Sequence, residues 1–291
     1  MRFSLSSGTL FTFPLPKVFE LARAAGFDSL ELIINQEFQG VNSRALIREL
    51  ARIHPIHSIH APFMMLDGWG GPVDMLRRCV ELADEAGIGL VNFHPPSWLG
   101  MELRFLRWLY RIFDFQKEVG RENVLVTIEN MPWVGRFRIN PHILSVTQKM
   151  VEFISERNLF LTFDTTHLGS GKTNFINDFY LFYNSGRIKN IHFSDYGHGR
   201  EHLIPGHGIL PLTRFLNHLK NTGYDGSLTL ELSPHEFPRD ETTIVDMLSE
   251  IRSFLVRETT CRLQDSGGSG HQPHLTAAMA VDPAASLSSP H

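Results

Sequence analysis

Short β-branched and apolar runs alternate with longer amphipathic stretches along most of the chain. The runs at 2–5, 29–34, 57–60, 90–94, 124–130, 159–164, 188–194 and 227–232 read as strands. Between them, apolar residues recur at helical spacing. Within 73–86 these are Met75, Leu76, Cys79, Leu82, Ala83 and Ala86, and 105–119 and 141–157 follow the same rule. Near the end, Asp240 reads as an N-cap ahead of Ile244, Met247, Leu248, Ile251 and Leu255. Eight strand–helix units predict an α/β fold, a single (β/α)8 TIM barrel over residues 1–263. An open doubly wound sheet would favour a glycine-rich phosphate loop after the first strand, but SSGTLFTFPLP contains no GxGxxG. Beyond the barrel, residues 264–291 are rich in Ser, Gly, Ala and Pro, lack aromatic residues and show no period. They read as a disordered tail whose His271, His274 and His291 are solvated.

The strands read as apolar runs, as buried parallel strands should, until their last residues. There HSIHAP reaches His60, LVNFHPP reaches His94, and VLVTIEN reaches Glu129. LTFDTTH reaches Asp164 with His167 just after, NIHFSD reaches His192, and LTLELS reaches Glu231. The C-terminal ends of barrel strands are where the βα loops converge into a site. Any one of these residues could be a hydrogen-bonded core group. Six ligand-type residues in register at one end are hard to produce by independent structural needs, and a divalent cation satisfies several at once. The set Glu129, Asp164, His192 and Glu231 is oxygen-rich and suits Mn²⁺, Mg²⁺, Co²⁺ or Zn²⁺. If His60 and His94 join Glu129 at a second metal, that site becomes more zinc-like.

Composition narrows the function. The 291 residues carry a formal net charge of −4, so the chain lacks the basic field of a non-specific nucleic-acid binder. Two cysteines, Cys79 and Cys261, imply no disulfide framework and fit a reducing compartment. With no signal peptide and no stretch approaching a membrane span, the expected location is cytoplasmic.

The motifs IHAPF (59–63), FHPPS (93–97), IEN (128–130), FDTTHLG (163–169), IHFSD (191–195), EHLIPGHG (201–208) and LELS (230–233) resemble those of the xylose-isomerase-like TIM barrels. That superfamily includes sugar and sugar-phosphate isomerases and epimerases and the apurinic endonucleases of the endonuclease IV type. In the isomerase branch, the resemblance implies one metal held by Glu129, Asp164, His192 and Glu231, with the two glutamates also catalytic. In the endonuclease branch, it implies three zinc ions. His60, His94 and Glu129 match the first site, Glu129, Asp164, His192 and Glu231 the second, and His167 and His202 part of the third. The chain departs from that pattern at Arg200, where the endonucleases have an aspartate two residues before the histidine matched by His202. It departs again at His207, where the turn usually carries a glutamate.

Two functions follow. The first is a metal-dependent isomerase or epimerase of a sugar or sugar phosphate, in which one glutamate removes the proton alpha to a carbonyl and the other returns a proton through an enediolate. His60, His94, His167, His202 and Arg200 would then bind substrate hydroxyls or phosphate. Trp69, Trp98 and Trp133, in loops after three consecutive ligand-bearing strands, would cap the pocket. The second is a DNA-repair phosphodiesterase, which needs basic loops. APFMMLDGWGG and PPSWLGM hold neither Lys nor Arg. Asp67, Asp195, Glu201, Glu236 and Asp240 offset Arg136, Arg138, Lys172, Arg200 and Arg239 in the later loops. The stripe Arg104, Arg107, Arg111 reads as a solvated helix face. A non-catalytic sugar-binding barrel would not need two carboxylates on one metal. The expected partner is therefore a small sugar or sugar phosphate rather than nucleic acid or membrane, with a homo-oligomer open.

Overall fold

Polar and apolar side chains largely alternate between the two faces of the barrel strands. In the computed structural model, which describes residues 1–171 and 174–260, the strands are β1 (Arg2–Ser6), β2 (Ser29–Ile33), β3 (Ile56–His60), β4 (Leu90–Phe93), β5 (Leu125–Glu129), β6 (Phe160–Asp164), β7 (Ile188–Phe193), β8 (Asp195–Gly197), β9 (Arg200–Leu203) and β10 (Ser227–Leu230). All but β8 and β9 close into one barrel in the order β1-β10-β7-β6-β5-β4-β3-β2, with every pairing parallel. This is the expected (β/α)8 architecture. Lys172, Cys261 and the expected tail at 264–291 lie outside the described residues.

The alternation explains why the barrel holds a site. Leu30, Ile59, Val91, Val126, Ile128, Leu161, Phe163, Ile191 and Leu228 are buried in the hydrophobic core with the apolar faces of the surrounding helices. On the α/β boundary Phe163, Phe179, Phe193 and Phe215 interlock, with the Phe179 and Phe215 rings 4.6 Å apart. The intervening positions Ser4, Glu31, Ser58, Asn92, Thr127, Thr162, Asn190 and Thr229 are fully buried. They pair with one another: Ser4 Oγ lies 2.6 Å from Ser29 Oγ, Thr127 Oγ1 lies 2.8 Å from Thr162 Oγ1, and Thr229 Oγ1 donates to Asn190 Oδ1 at 2.9 Å. Asn190 Nδ2 on β7 donates to Glu31 on β2 at 3.1 Å, although β10 and β1 stand between those strands. This face therefore points into the barrel. The reading of the strands as continuous apolar runs is corrected accordingly. They alternate, and the barrel interior is a hydrogen-bonded polar ring, because buried polar groups persist only when they satisfy one another.

Two helical expectations also change, and a hairpin is added. The pattern at 105–119 is two helices, Leu103–Arg111 and Phe115–Glu118, divided where Asp114 caps the second by accepting from Lys117 N at 3.1 Å. The pattern at 141–157 becomes helical only at Thr147–Glu156. Ahead of it, Trp98 N donates to Pro141 O and Asn140 Oδ1 accepts from His142 N, so this segment is tied to the loop after β4. The hairpin β8–β9 was not expected. Its turn at His198 and Gly199 has positive φ at both residues, 54° and 76°, a geometry that suits two-residue hairpins.

Candidate metal centre

The inward positions at the C-terminal ends of β3, β5, β6, β7 and β10 bring the ligand-type residues together. Asn130 of the IEN run bridges β5 to β6: its Oδ1 accepts from Asp164 N at 2.8 Å and its Nδ2 donates to Asp164 O at 2.9 Å. Asp164 caps the short helix Thr165–Gly169, with Oδ1 accepting from His167 N at 2.7 Å. Thr165 Oγ1 donates to Ser194 O and Thr166 Oγ1 to Asp195 O, which ties that helix to the hairpin. Asp195 accepts backbone N–H groups from Gly206, Gly208 and Leu210, each at 3.0 Å, so one buried carboxylate shapes the loop that follows His202. Gly208 is required there, since a Cβ on it would lie 2.3 Å from Asp195 Oδ1.

Ligand atoms of Glu129, Asp164, His192 and Glu231 lie within 4.8 Å of one another. His192 Nδ1 is 2.8 Å from Glu231 Oε2, 3.5 Å from Glu129 Oε1 and 3.7 Å from Asp164 Oδ2. Two further groups share these residues: His60, His94 and Glu129, and Asp164, His167 and His202. His60 Nε2 lies 3.1 Å from His94 Nε2 and 3.3 Å from Glu129 Oε2, while its Nδ1 donates to Ala61 O at 2.7 Å. His167 Nδ1 is 3.1 Å from Glu129 Oε1, and the His167 and His202 rings stand 5.3 Å apart, edge to face.

A divalent cation fits this donor set. Asp164 Oδ2 and His192 Nδ1 are buried without a hydrogen-bond partner, and both face the other two carboxylates. Burial pushes every one of these groups toward its neutral form, and charge pulls some of them back. Against burial, the charges of His192 and His94 and the close approach of His167 hold Glu129 well below the usual carboxylate range. Glu231 is likewise held low against burial by His192. For Asp164 burial prevails and raises the carboxyl. His167 is pushed up to about 10, the charges of Asp164 and Glu129 overcoming burial. Glu31 and Glu231 raise His192 well above its ordinary value in the same way, and Glu129 raises His60. His94 goes down to about 4 because burial dominates. A carboxyl raised by burial beside unpartnered ring and carboxylate atoms marks a site short of positive charge.

The ligand-type residues open into a cavity of about 820 Å³, lined by His60, His94, Glu129, His167, His202 and Glu231 at its floor. Phe11, Ile33, Phe63 and Met64 form apolar walls, and Ser7, Asn35, Gln36 and Ser233 add polar groups. Glu37 and Glu201 also line it, and no Lys or Arg does so among the described residues.

Four residues expected at the substrate do not line this cavity. Arg200 is 62% exposed and donates to Glu236 at 2.5 Å. Trp69 is buried beneath Arg78, 3.9 Å from guanidinium to ring, and donates to Phe38 O. Trp98 donates to Asn140 O and is half exposed, and the Trp133 backbone N–H donates to Ser170 Oγ. The Trp69 and Trp98 indoles and the Arg200 guanidinium find partners in neighbouring loops, and Phe11 and Phe63 supply the aromatic walls instead. Two residues of the site escaped the sequence reading. Asn92 donates to Glu129 Oε2 at 2.5 Å, and Glu31 lies behind His192. The available signal was a polar residue set between apolar neighbours, Asn92 in LVNF and Glu31 in SLELI.

With this geometry, the sequence matches the family described as xylose isomerase-like TIM barrel over residues 19–253. The chain belongs to that family. An uncharacterized protein of Mycobacterium leprae (strain TN) is 25% identical over 289 residues, covering 88% of this chain and 99% of that protein. Among solved structures, a D-tagatose 3-epimerase-like protein aligns at TM-score 0.64 and 21% identity, covering 89% of this chain and 100% of that one. The IOLI protein with a binding zinc atom aligns at 0.66 and 17%, covering 89% and 99%. Endonuclease IV from Thermus thermophilus aligns at 0.59 and 17%, covering 88% and 100%. At these identities the likeness is one of fold. No helix among the described residues is long and apolar enough to cross a membrane.

Proposed function

We propose that the protein is a divalent-metal-dependent isomerase or epimerase of an uncharged ketose or related polyol ketone. The observation that carries this reading is the placement of Glu129 and Glu231 against the same ring nitrogen, His192 Nδ1, at 3.5 and 2.8 Å, at the floor of a cavity lined by no Lys or Arg among the described residues. Glu129, Asp164, His192 and Glu231 would hold the cation (Mn²⁺, Mg²⁺, Co²⁺ or Zn²⁺), which when bound supplies Lewis acidity toward a substrate carbonyl and its neighbouring hydroxyl. One glutamate takes the proton from the carbon alpha to the carbonyl. The other returns a proton to the opposite face or to the adjacent carbon. The low-lying carboxyls of Glu129 and Glu231 keep both available as bases near neutral pH. His167 and His202 line the cavity beside the glutamates and would bind hydroxyls, and the Phe11 and Phe63 walls would exclude water from the reacting carbons.

The lining favours a neutral sugar over a sugar phosphate. Phosphate recognition draws on Arg, Lys or a helix N-terminus, and the cavity offers Glu37 and Glu201 where such groups would be needed. A second reading, an apurinic-site phosphodiesterase, is favoured by the three ligand groups that share Glu129 and Asp164. It is disfavoured by the same carboxylate rim, which would repel a phosphate backbone, and by Arg200, which stands where that chemistry would need a ligand and pairs with Glu236 instead. Metal-loaded protein assayed in parallel on a panel of free ketoses, on their phosphates and on a duplex with one abasic site distinguishes them. Conversion of a free ketose with intact DNA is the expected outcome. Strand cleavage with no sugar converted would overturn the reading.

A further inference from the structure

Among the described residues, Glu31 is the one carboxylate of the barrel interior that neither reading uses. It is fully buried in the middle of β2, flanked by Leu30 and Leu32. Its Oε1 lies 2.8 Å from His192 Nε2, the ring nitrogen opposite the one that faces Glu129, Asp164 and Glu231. Its Oε2 accepts from Ser58 Oγ at 2.9 Å and from Asn190 Nδ2 at 3.1 Å, so two neighbours hold the carboxylate in place. Asn190 is held in turn by Thr229. Among the described residues, neither His192 Nε2 nor Glu31 Oε1 makes an aligned hydrogen bond, and each is the other's ion-pair neighbour at 2.8 Å. A buried charge is retained at such a position only where an opposite or polarised group answers it.

We infer that Glu31 is a positioning residue for the metal centre: it takes the Nε2–H of His192, fixes the ring's tautomer and turn, and leaves Nδ1 as the nitrogen presented to the cation. The inference rests on the reading of Glu129, Asp164, His192 and Glu231 as the metal-holding set. A carboxylate behind a ligating imidazole both orients the ring and raises its basicity, and losing such a partner weakens metal binding about 10–100-fold. The polar ring of the interior thus has a purpose beyond mutual satisfaction. Ser58, Asn190 and Thr229 form a chain that ends on the group setting His192.

The test is metal affinity, read without any substrate. Glu31→Gln keeps the shape and removes the charge. Co²⁺ is titrated into chelator-stripped wild type and variant against a chromophoric competitor, with the visible cobalt spectrum recorded and folding checked by circular dichroism. The expected result is an affinity loss of about 10–100-fold, a shifted cobalt spectrum and an unchanged far-ultraviolet signal. A Glu31→Gln protein that binds Co²⁺ within about threefold of wild type, with the same spectrum, overturns the inference and leaves the metal centre standing. Wild type that binds no Co²⁺ overturns the metal centre itself and this inference with it. Should Glu31→Gln not fold, Ser58→Ala, which removes one of the two donors to Glu31 Oε2, is expected to weaken Co²⁺ by a smaller factor and to shift the spectrum. An unchanged Ser58→Ala then overturns the inference.

Discussion

The Arg200 guanidinium turns away from the cavity and donates to Glu236, whose other oxygen accepts from His207 at 3.1 Å. Arg200 and His207 are the two positions at which the chain departs from the endonuclease pattern, and the structure joins both to one carboxylate. The hairpin and the loop after β10 are thereby clasped to each other outside the site.

Arg200→Ala should therefore leave catalysis largely alone. With the guanidinium 62% exposed, an ion pair of this kind contributes about 0–1 kcal/mol. The expected outcome is a KM for the free ketose within about threefold of wild type and a small fall in Tm. A tenfold or larger rise in KM would return Arg200 to the substrate.

At the opposite end of the barrel His57 lies against Arg2, and its ring is pushed down to about 4, first by burial and then by the charge of Arg2. The unfolded chain takes up this proton near 6.5 and the folded chain only near 4, so between those values the unfolded state binds more protons. His57 therefore costs stability as pH falls through that window and costs nothing above it. Chelator-treated His57→Gln should lose less Tm than wild type between pH 6.5 and 4.5. Parallel Tm curves would show that the ring titrates freely.

Metal removal should cost stability, because a ligand that binds only the folded state adds about 2.7 kcal/mol at one hundred times its Kd. Chelator is expected to lower Tm, and added Mn²⁺, Co²⁺ or Zn²⁺ to restore it. In Asp164→Asn, which weakens the unpartnered oxygen at the centre, the restored fraction should shrink. An identical Tm with and without chelator in wild type would contradict the proposed centre.

The barrel was legible because its strands are bounded by turn residues and its helices carry a clean apolar period. The floor of the site was legible because His60, His94, Glu129, Asp164, His192 and Glu231 all fall at strand ends, where parallel barrels place their chemistry. Glu31 and Asn92 were missed for a local reason: they lie within strands, and their role depends on which face points inward, a matter settled by closure of the sheet. Trp69, Trp98, Trp133 and Arg200 were misplaced because a loop's position in sequence does not say which neighbour satisfies its polar atoms. Trp69 found Phe38 O and Arg78, Trp98 found Asn140 O, and Arg200 found Glu236. The β8–β9 hairpin carries only a His-Gly turn, a weak form of the usual signal, and its order comes from the Asp195 cradle, whose partners lie 11 to 15 residues away.

The central claim is proton transfer by Glu129 and Glu231, and solvent exchange tests it most directly. Metal-loaded protein is incubated in D₂O with the free ketose it converts best, and deuterium at the carbon alpha to the carbonyl is followed by NMR. Wild type is expected to introduce deuterium at that carbon as it forms product. Glu129→Gln and Glu231→Gln, each checked for metal content, are expected to lose about 10²–10⁴-fold in both turnover and exchange. Product formed without deuterium, or full exchange by either variant at equal metal occupancy, would contradict the two-glutamate account.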